Sequence, residues 1–159
     1  MLALYRGRSF WPSKLIEFRT WCPWSHVAHI SDIDGVCYEA WKHGVRAVAS
    51  YKMDHDKGTK IDLFQIKDSA RRIQVEEDAI KFLKTQLGKP YDWPGVFRFV
   101  TRGNERDQHN PPSWFCFRLE FIALEISGLR PLERIPAWKA DATTFAYSPH
   151  FEYYGQVTV

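Results

Sequence analysis

Three residues far apart in the chain carry the chemistry of a nucleophile and its base: Cys116, His26 and Glu39. Cys116 stands in the stretch Asn110 to Gly128, Asn-Pro-Pro-Ser-Trp-Phe-Cys-Phe-Arg-Leu-Glu-Phe-Ile-Ala-Leu-Glu-Ile-Ser-Gly. Two prolines stop whatever precedes, and Ser113 suits the N-cap of the helix that follows. Leu119, Ile122, Ala123 and Ile126 recur at helical spacing, and Gly128 stands where a helix ends. A cysteine in the first helical turn lies among backbone N–H groups that lack intrahelical acceptors. Their partial positive charge lowers a thiol's pKa and favours the thiolate. The other reading of Cys116 is a buried structural thiol, since free cysteine is among the most buried residue types.

A cysteine nucleophile needs a base within hydrogen-bond reach and a third group to orient that base. Ser25 to Ser31 reads as a strand, Asp32 to Gly35 as turn chemistry and Val36 to Trp41 as the paired strand. If that loop pairs Ser31 with Val36, Ala28 lies opposite Glu39, and His26 and Glu39 become diagonal neighbours on one face. The carboxylate would then orient the imidazole and favour its protonated form, which in turn stabilises the thiolate. Alternation along the strand sends His29 to the opposite face, as a structural or surface residue. Each member also has an ordinary reading: His26 as a satisfied strand histidine, Glu39 as a solvated hairpin residue.

Other groupings carry less. A zinc set from His26, His29 and His43 is opposed by the same alternation and by the lack of paired cysteines, so neither a metal nor a cofactor is expected. Asp54-His55-Asp56 reads as a solvated loop. Cys22, Cys37 and Cys116 make no paired framework, which favours a reducing compartment. The net charge of +3 is not concentrated in a run, which speaks against a nucleic-acid partner. No stretch approaches a membrane span, and the N-terminus has no apolar run of signal-peptide length. The expected location is cytoplasmic as the chain stands, with a phage-associated or exported role as the alternative. Oligomeric state is not legible.

The elements that must position these residues read as one domain over 1–159, within the size one core can support. Leu2 to Tyr5 is a short first strand, and Trp11 to Thr20 a short helix broken by Cys22-Pro23-Trp24. Gly44 to Ala49 is a connecting segment with strand-like alternation, and Ile61 to Ile66 another strand. Val75 to Leu87 is a helix with Glu76, Glu77 and Asp78 in its first turn and Gly88 as terminator. Tyr91 to Val100 is aromatic-rich and interrupted by Pro94-Gly95. Thr101 to His109 is a charged surface loop placed to lie beside a groove. Ala142 to Tyr147 and the last residues read as strand or coil. The order predicts an α+β fold, an antiparallel sheet packed by helices.

With these residues in place, the chain resembles the circularly permuted papain-like, NlpC-type cysteine hydrolases (the YaeF/YiiX group). Ser25-His26-Val27-Ala28 resembles that family's Ser-His-Val-Gly strand, which carries the catalytic His. Tyr38-Glu39-Ala40 resembles the segment of the third polar residue, at an interval of 13 positions (39 − 26) that is close to the family's own. Leu87-Gly-Lys-Pro-Tyr91-Asp-Trp resembles the Gly-x-Pro-Tyr element whose Tyr lies beside the nucleophile. Trp114-Phe-Cys116 resembles the aromatic-Cys start of the nucleophile helix. All four occur in the permuted order, His before Cys.

The resemblance implies a permuted papain-like fold with the nucleophile at a helix N-terminus, and attack of the Cys116 thiolate on an amide or ester carbonyl. A tetrahedral oxyanion would be held by the Cys116 N–H and the Tyr91 hydroxyl, with Trp114 and Phe117 beside the substrate, and an acyl-enzyme would follow. The chain departs from the family at Cys116-Phe117-Arg118, where the usual sequence is Cys-Ser-Glu or Cys-Ser-Gly; a Phe after the nucleophile would narrow the cleft. Three readings follow. The first is a cysteine peptidase or amidase acting on a small peptide or cell-wall fragment through a Cys-His-Glu triad. The second is a hydrolase or acyltransferase for acyl-lipid, ester or thioester substrates on the same triad. The third is a binding module that keeps the fold without activity.

Overall fold

Alternating short apolar runs and Gly/Asp turns build, among the described residues, a sheet of six antiparallel strands that, numbered along the chain, stand side by side in the order fourth, third, second, first, fifth, sixth. The computed structural model describes residues 1–7, 11–101, 103 and 109–159 (11–13 as backbone only). The elements run β1 (Leu2–Tyr5), α1 (Trp11–Thr20), β2 (His26–Ile30), β3 (Cys37–Trp41), β4 (Gly44–Val48) and β5 (Lys60–Ile66). There follow α2 (Ser69–Gln86), α3 (Trp93–Val100), α4 (Cys116–Ile126), a 3-10 turn (Ala137–Lys139), α5 (Ala142–Ala146) and β6 (Phe151–Thr158). This is the expected α+β class.

The period-2 pattern gives the sheet two unlike faces. Leu2, Leu4, Val27, Tyr38, Ala40 and Phe64 join the apolar sides of α2 and α4 in the main core. Ala3, Tyr5, Ala28, Cys37, Ile61 and Leu63 form a second, smaller cluster. Helix α4 is buried along almost its whole length, from Cys116 to Leu124. Burying that apolar helix against the sheet is the main force fixing Cys116 in place.

Several elements differ from the sequence reading. Helix α2 begins at Ser69, not Val75, because the Asp68 carboxylate caps it by accepting from the N–H groups of Ala70 at 3.1 Å and Arg71 at 3.3 Å. The acidic run at Glu76 therefore lies beyond the first turn. The aromatic stretch is helical over α3, with Asp92 accepting from the Gly95 N–H at 2.9 Å and Pro94 tolerated in the first turn. Helix α4 has Phe115 at its N-cap with no side-chain bond, instead of Ser113. Trp114 is held extended there: its N–H donates to Pro90 C=O and its C=O accepts from Asp92 N–H, both at 3.0 Å. The segment at Gly44 is a full edge strand. The C-terminal region divides into α5, closed by a capping box between Asp141 and Thr144, and β6. The loop expected beside a groove at Thr101–His109 falls largely outside the described residues.

The cap at Asp68 is testable. Asp68→Ala is expected to lower stability by about 1 kcal/mol, read from the urea midpoint at constant slope; no shift would show that the cap bonds are idle.

Candidate functional site

The hairpin closes as its loop chemistry demands. Ser31 N–H donates to Val36 C=O at 2.9 Å, and His29 pairs with Tyr38. Two-residue alternation then puts His26 and Glu39 on the same face. His26 Nε2 lies 2.6 Å from Glu39 Oε2, with both residues buried. The other carboxylate oxygen accepts from Arg46 Nε at 2.9 Å and Nη2 at 2.6 Å. Arg46 is the cross-strand partner of Glu39 in the β3–β4 ladder, and its Nη1 also donates to Asp54 at 2.7 Å.

Burial opposes ionisation of Glu39, but its contacts with His26 and His55 outweigh that and hold the carboxyl well below the usual range. Burial lowers the His26 pKa further than Glu39 raises it. His26 is therefore neutral at neutral pH, where the sequence reading had it protonated. Its Nε2–H donates to Glu39, which leaves Nδ1 as the acceptor nitrogen.

Cys116 is the first residue of α4 and is 2% exposed. Burial pushes its thiol up to about 12, against the lowering effect of the Val27 N–H, the Tyr91 hydroxyl and the Phe117 N–H. The helix terminus acts on the sulfur as expected, yet desolvation outweighs it. The Val27 contact has a structural cause. Val27 is two residues from His29, so its polar groups turn toward β3, but the β2–β3 ladder contains only His29–Tyr38 and Ile30–Cys37. The sulfur takes the place on Val27 that Ala40 would have taken in a continued ladder.

Val27 adjoins His26 in the chain, while their side chains leave opposite faces of β2. The thiol thus packs on the helix side and the imidazole points to the other. No hydrogen bond joins Cys116 to a histidine among the described residues. Burial raises the Tyr91 phenol first and the adjacent Cys116 sulfur next, while the Glu39 charge adds to burial in raising the Cys116 thiol. One consequence is slow chemistry at rest. Alkylation of Cys116 in the folded protein is expected to be slower at pH 7 than in urea, and to keep rising with pH past the usual thiol range. Fast labelling at pH 7 would contradict the burial.

The remaining expected site residues separate. Tyr91 lies beside the thiol and packs on Trp93 with ring centroids 4.8 Å apart. Trp114 and Phe117 are 0% exposed and do not line a cleft. Trp114 Nε1 donates to Gln86 at 3.0 Å, and Phe117 packs among Phe115, Phe99 and Phe145. The Phe after Cys116 therefore fills the core and narrows no cleft. His29 is buried on the helix side, where its Nδ1 lies 2.9 Å from Glu120 of α4.

Two members were missed by sequence reasoning. Arg46 could have been found as the charge opposite Glu39 in a tight β3–β4 hairpin. His55 was read as solvated, but its side chain is 5% exposed and stacks on Tyr5 at 4.1 Å. Its Nε2 lies 3.8 Å from Glu39 Oε2. No local signal reveals this, because the loop returns to β1 through tertiary packing. His26, Glu39 and His55 are the described residues able to hold a metal ion together, their ligand atoms lying within 4.8 Å of one another. A cavity of about 40 Å³ opens on this cluster, lined by Ser25, His26, Trp41, His55 and Thr59 among others.

No helix in the described residues is long and apolar enough to cross a membrane. No family model matches the chain, and no curated protein matches it. Five solved chains do match. One is the crystal structure of metalloprotein yiiX from Escherichia coli O157:H7, of the DUF1105 group, at 14% identity and a TM-score of 0.67, covering 99% of this chain and 96% of that one. Across nearly its full length, this chain has the α+β fold of the YiiX structure.

Proposed function

We propose that the chain is a cysteine hydrolase that attacks an amide carbonyl in a small peptide or cell-wall fragment, with Cys116 as nucleophile. The reading rests on one observation: the Cys116 sulfur lies against the Val27 N–H, next in the chain to a neutral His26 oriented by Glu39. In the described conformation the thiol is protonated and buried. Because the thiol and the imidazole lie on opposite faces of β2, attack requires the start of β2 to turn as substrate enters and bring the imidazole Nδ1 to the sulfur, so that His26 removes the thiol proton as the C–S bond forms. The Cys116 N–H and the Tyr91 hydroxyl would donate to the developing oxyanion. His26 then returns the proton to the leaving amine, and water releases the acyl group.

A second reading, hydrolysis of esters or thioesters with apolar acyl chains, is favoured by the surface beside Tyr91. Trp93 is 41% and Phe97 69% exposed on α3, next to the nucleophile's neighbour.

The test is acid quench after mixing with p-nitrophenyl acyl esters or with dipeptide p-nitroanilides, followed by peptide mass mapping. An acyl adduct on the peptide carrying Cys116 is expected, and the series that gives it assigns the substrate class. No adduct from either series would leave a binding module and overturn the hydrolase reading.

A further inference from the structure

We infer that His26 Nε2, Glu39 Oε2 and His55 Nε2 form a binding site for a divalent transition-metal ion of the Zn²⁺ class. Two imidazoles and one carboxylate with a fourth position open to solvent form a recognised donor set for Zn²⁺. The three side chains come from β2, β3 and the loop before β5, so only the fold unites them.

The geometry lies close to what an ion needs. Tetrahedral bonds of about 2.0–2.1 Å place donor atoms about 3.3 Å apart. Here the His26–Glu39 pair stands at 2.6 Å and the His55–Glu39 pair at 3.8 Å, with all three ligand atoms within 4.8 Å of one another, so side-chain shifts alone can bring the set to that spacing. Arg46 holds Oε1 through two bonds, which orients Glu39 and leaves Oε2 directed at the imidazoles. The Arg46 charge is shared between Glu39 and Asp54, which lessens its repulsion of a cation. Both rings pack against aromatic neighbours: His55 stacks on Tyr5, and His26 lies 4.6 Å from the Trp41 ring. The adjoining cavity exceeds the roughly 10–15 Å³ that one water requires, so a water can complete the coordination.

Binding changes the role of His26. With the ion on Nε2, the ring's single proton resides on Nδ1, and no lone pair remains to accept the Cys116 proton. The ion would therefore inhibit the thiol reaction. That consequence rests on the hydrolase reading; the binding site itself does not.

The experiment is calorimetric titration of the chelator-treated 159-residue chain with Zn²⁺, repeated with Co²⁺ under optical absorption. One equivalent is expected to bind, with a Co²⁺ spectrum lacking a thiolate charge-transfer band. His55→Gln is expected to weaken binding by about tenfold or more, and Cys116→Ser to leave it unchanged. The wild-type melting temperature should rise with Zn²⁺ and fall back with chelator. A cooperative melt of His55→Gln shows that it is folded; should it fail to fold, the wild-type Zn²⁺ shift and the Co²⁺ spectrum decide. No stoichiometric binding, undiminished binding by folded His55→Gln, or loss of binding in Cys116→Ser would overturn the assignment. Metal binding without any acyl adduct would reject the hydrolase reading and leave this one standing.

Discussion

On the hydrolase proposal, Glu39→Gln is expected to lower kcat by about 10³-fold or more, with KM changed by no more than a few fold. The carboxylate serves two partners at once, taking Arg46 on one oxygen and His26 on the other. A carboxamide has a single acceptor oxygen. If that oxygen meets Arg46, the amide NH₂ faces His26 Nε2 and forces the ring proton to Nδ1. If it meets His26, the NH₂ confronts a guanidinium that can only donate. The first arrangement removes the base and the second loosens the strand pair that carries it. A loss confined to kcat marks a group acting on the transition state through His26. The same variant has a pH signature with a fixed sign. Because the folded carboxyl lies well below its ordinary value, its stabilisation is complete above an unfolded pKa of about 4.3 and is lost as pH falls toward the folded value. Glu39→Gln should therefore flatten the acid limb of the stability curve below about pH 5. A kcat within tenfold of wild type, with the acid limb unchanged, would remove Glu39 from the site.

The parts of this arrangement that were legible in the sequence are those set by short-range physics. The Asp32–Gly35 turn determines the register of its hairpin, and register determines which side chains share a face. That was enough to place His26 beside Glu39 and His29 away from both. Alternation and helical spacing likewise marked β1, α1 and the body of α4. What stayed hidden depends on partners distant in sequence. Whether the Cys116 thiol is raised or lowered is decided by how deeply α4 sinks into the core, and periodicity reports the buried stripe without its depth. His55 reads as polar loop until Tyr5 is found beneath it. Strand β6 was ambiguous because its support is β5, reached through pairs such as Asp62–Gln156. The start of α2 was missed for a different reason: its first two turns are too charged for an apolar stripe, so only the Asp68 cap marks them.

The largest stability effect is expected one turn beyond Cys116. Glu120, four residues after Cys116 on α4, meets His29 Nδ1 at 2.9 Å, and Glu76 of α2 stands 3.8 Å from the other ring nitrogen. All three side chains are at most 3% exposed. Glu76 also accepts from the Asp32 N–H at 3.0 Å, so the cluster ties β2 and its turn to both long helices. Removing Glu120 or His29 strips the other of its buried hydrogen bond, and Glu120→Ala or His29→Ala is expected to cost about 3 kcal/mol each. Replacing both by apolar residues of similar volume, His29→Leu with Glu120→Met, removes the desolvation cost together with the bond. The double variant is therefore expected to lose less than the His29→Leu and Glu120→Met single variants added together, by about 2 kcal/mol or more, in a urea-denaturation cycle. Single costs below about 1 kcal/mol that simply add would show that the cluster carries no coupling. The first turn of α4 depends on the same anchor, so Glu120→Ala should also speed Cys116 alkylation at pH 7 as the sulfur comes away from Val27. A slower or unchanged rate in a destabilised Glu120→Ala protein would mean that the packing of Trp114 and Phe117, and not the polar cluster, holds the thiol in place.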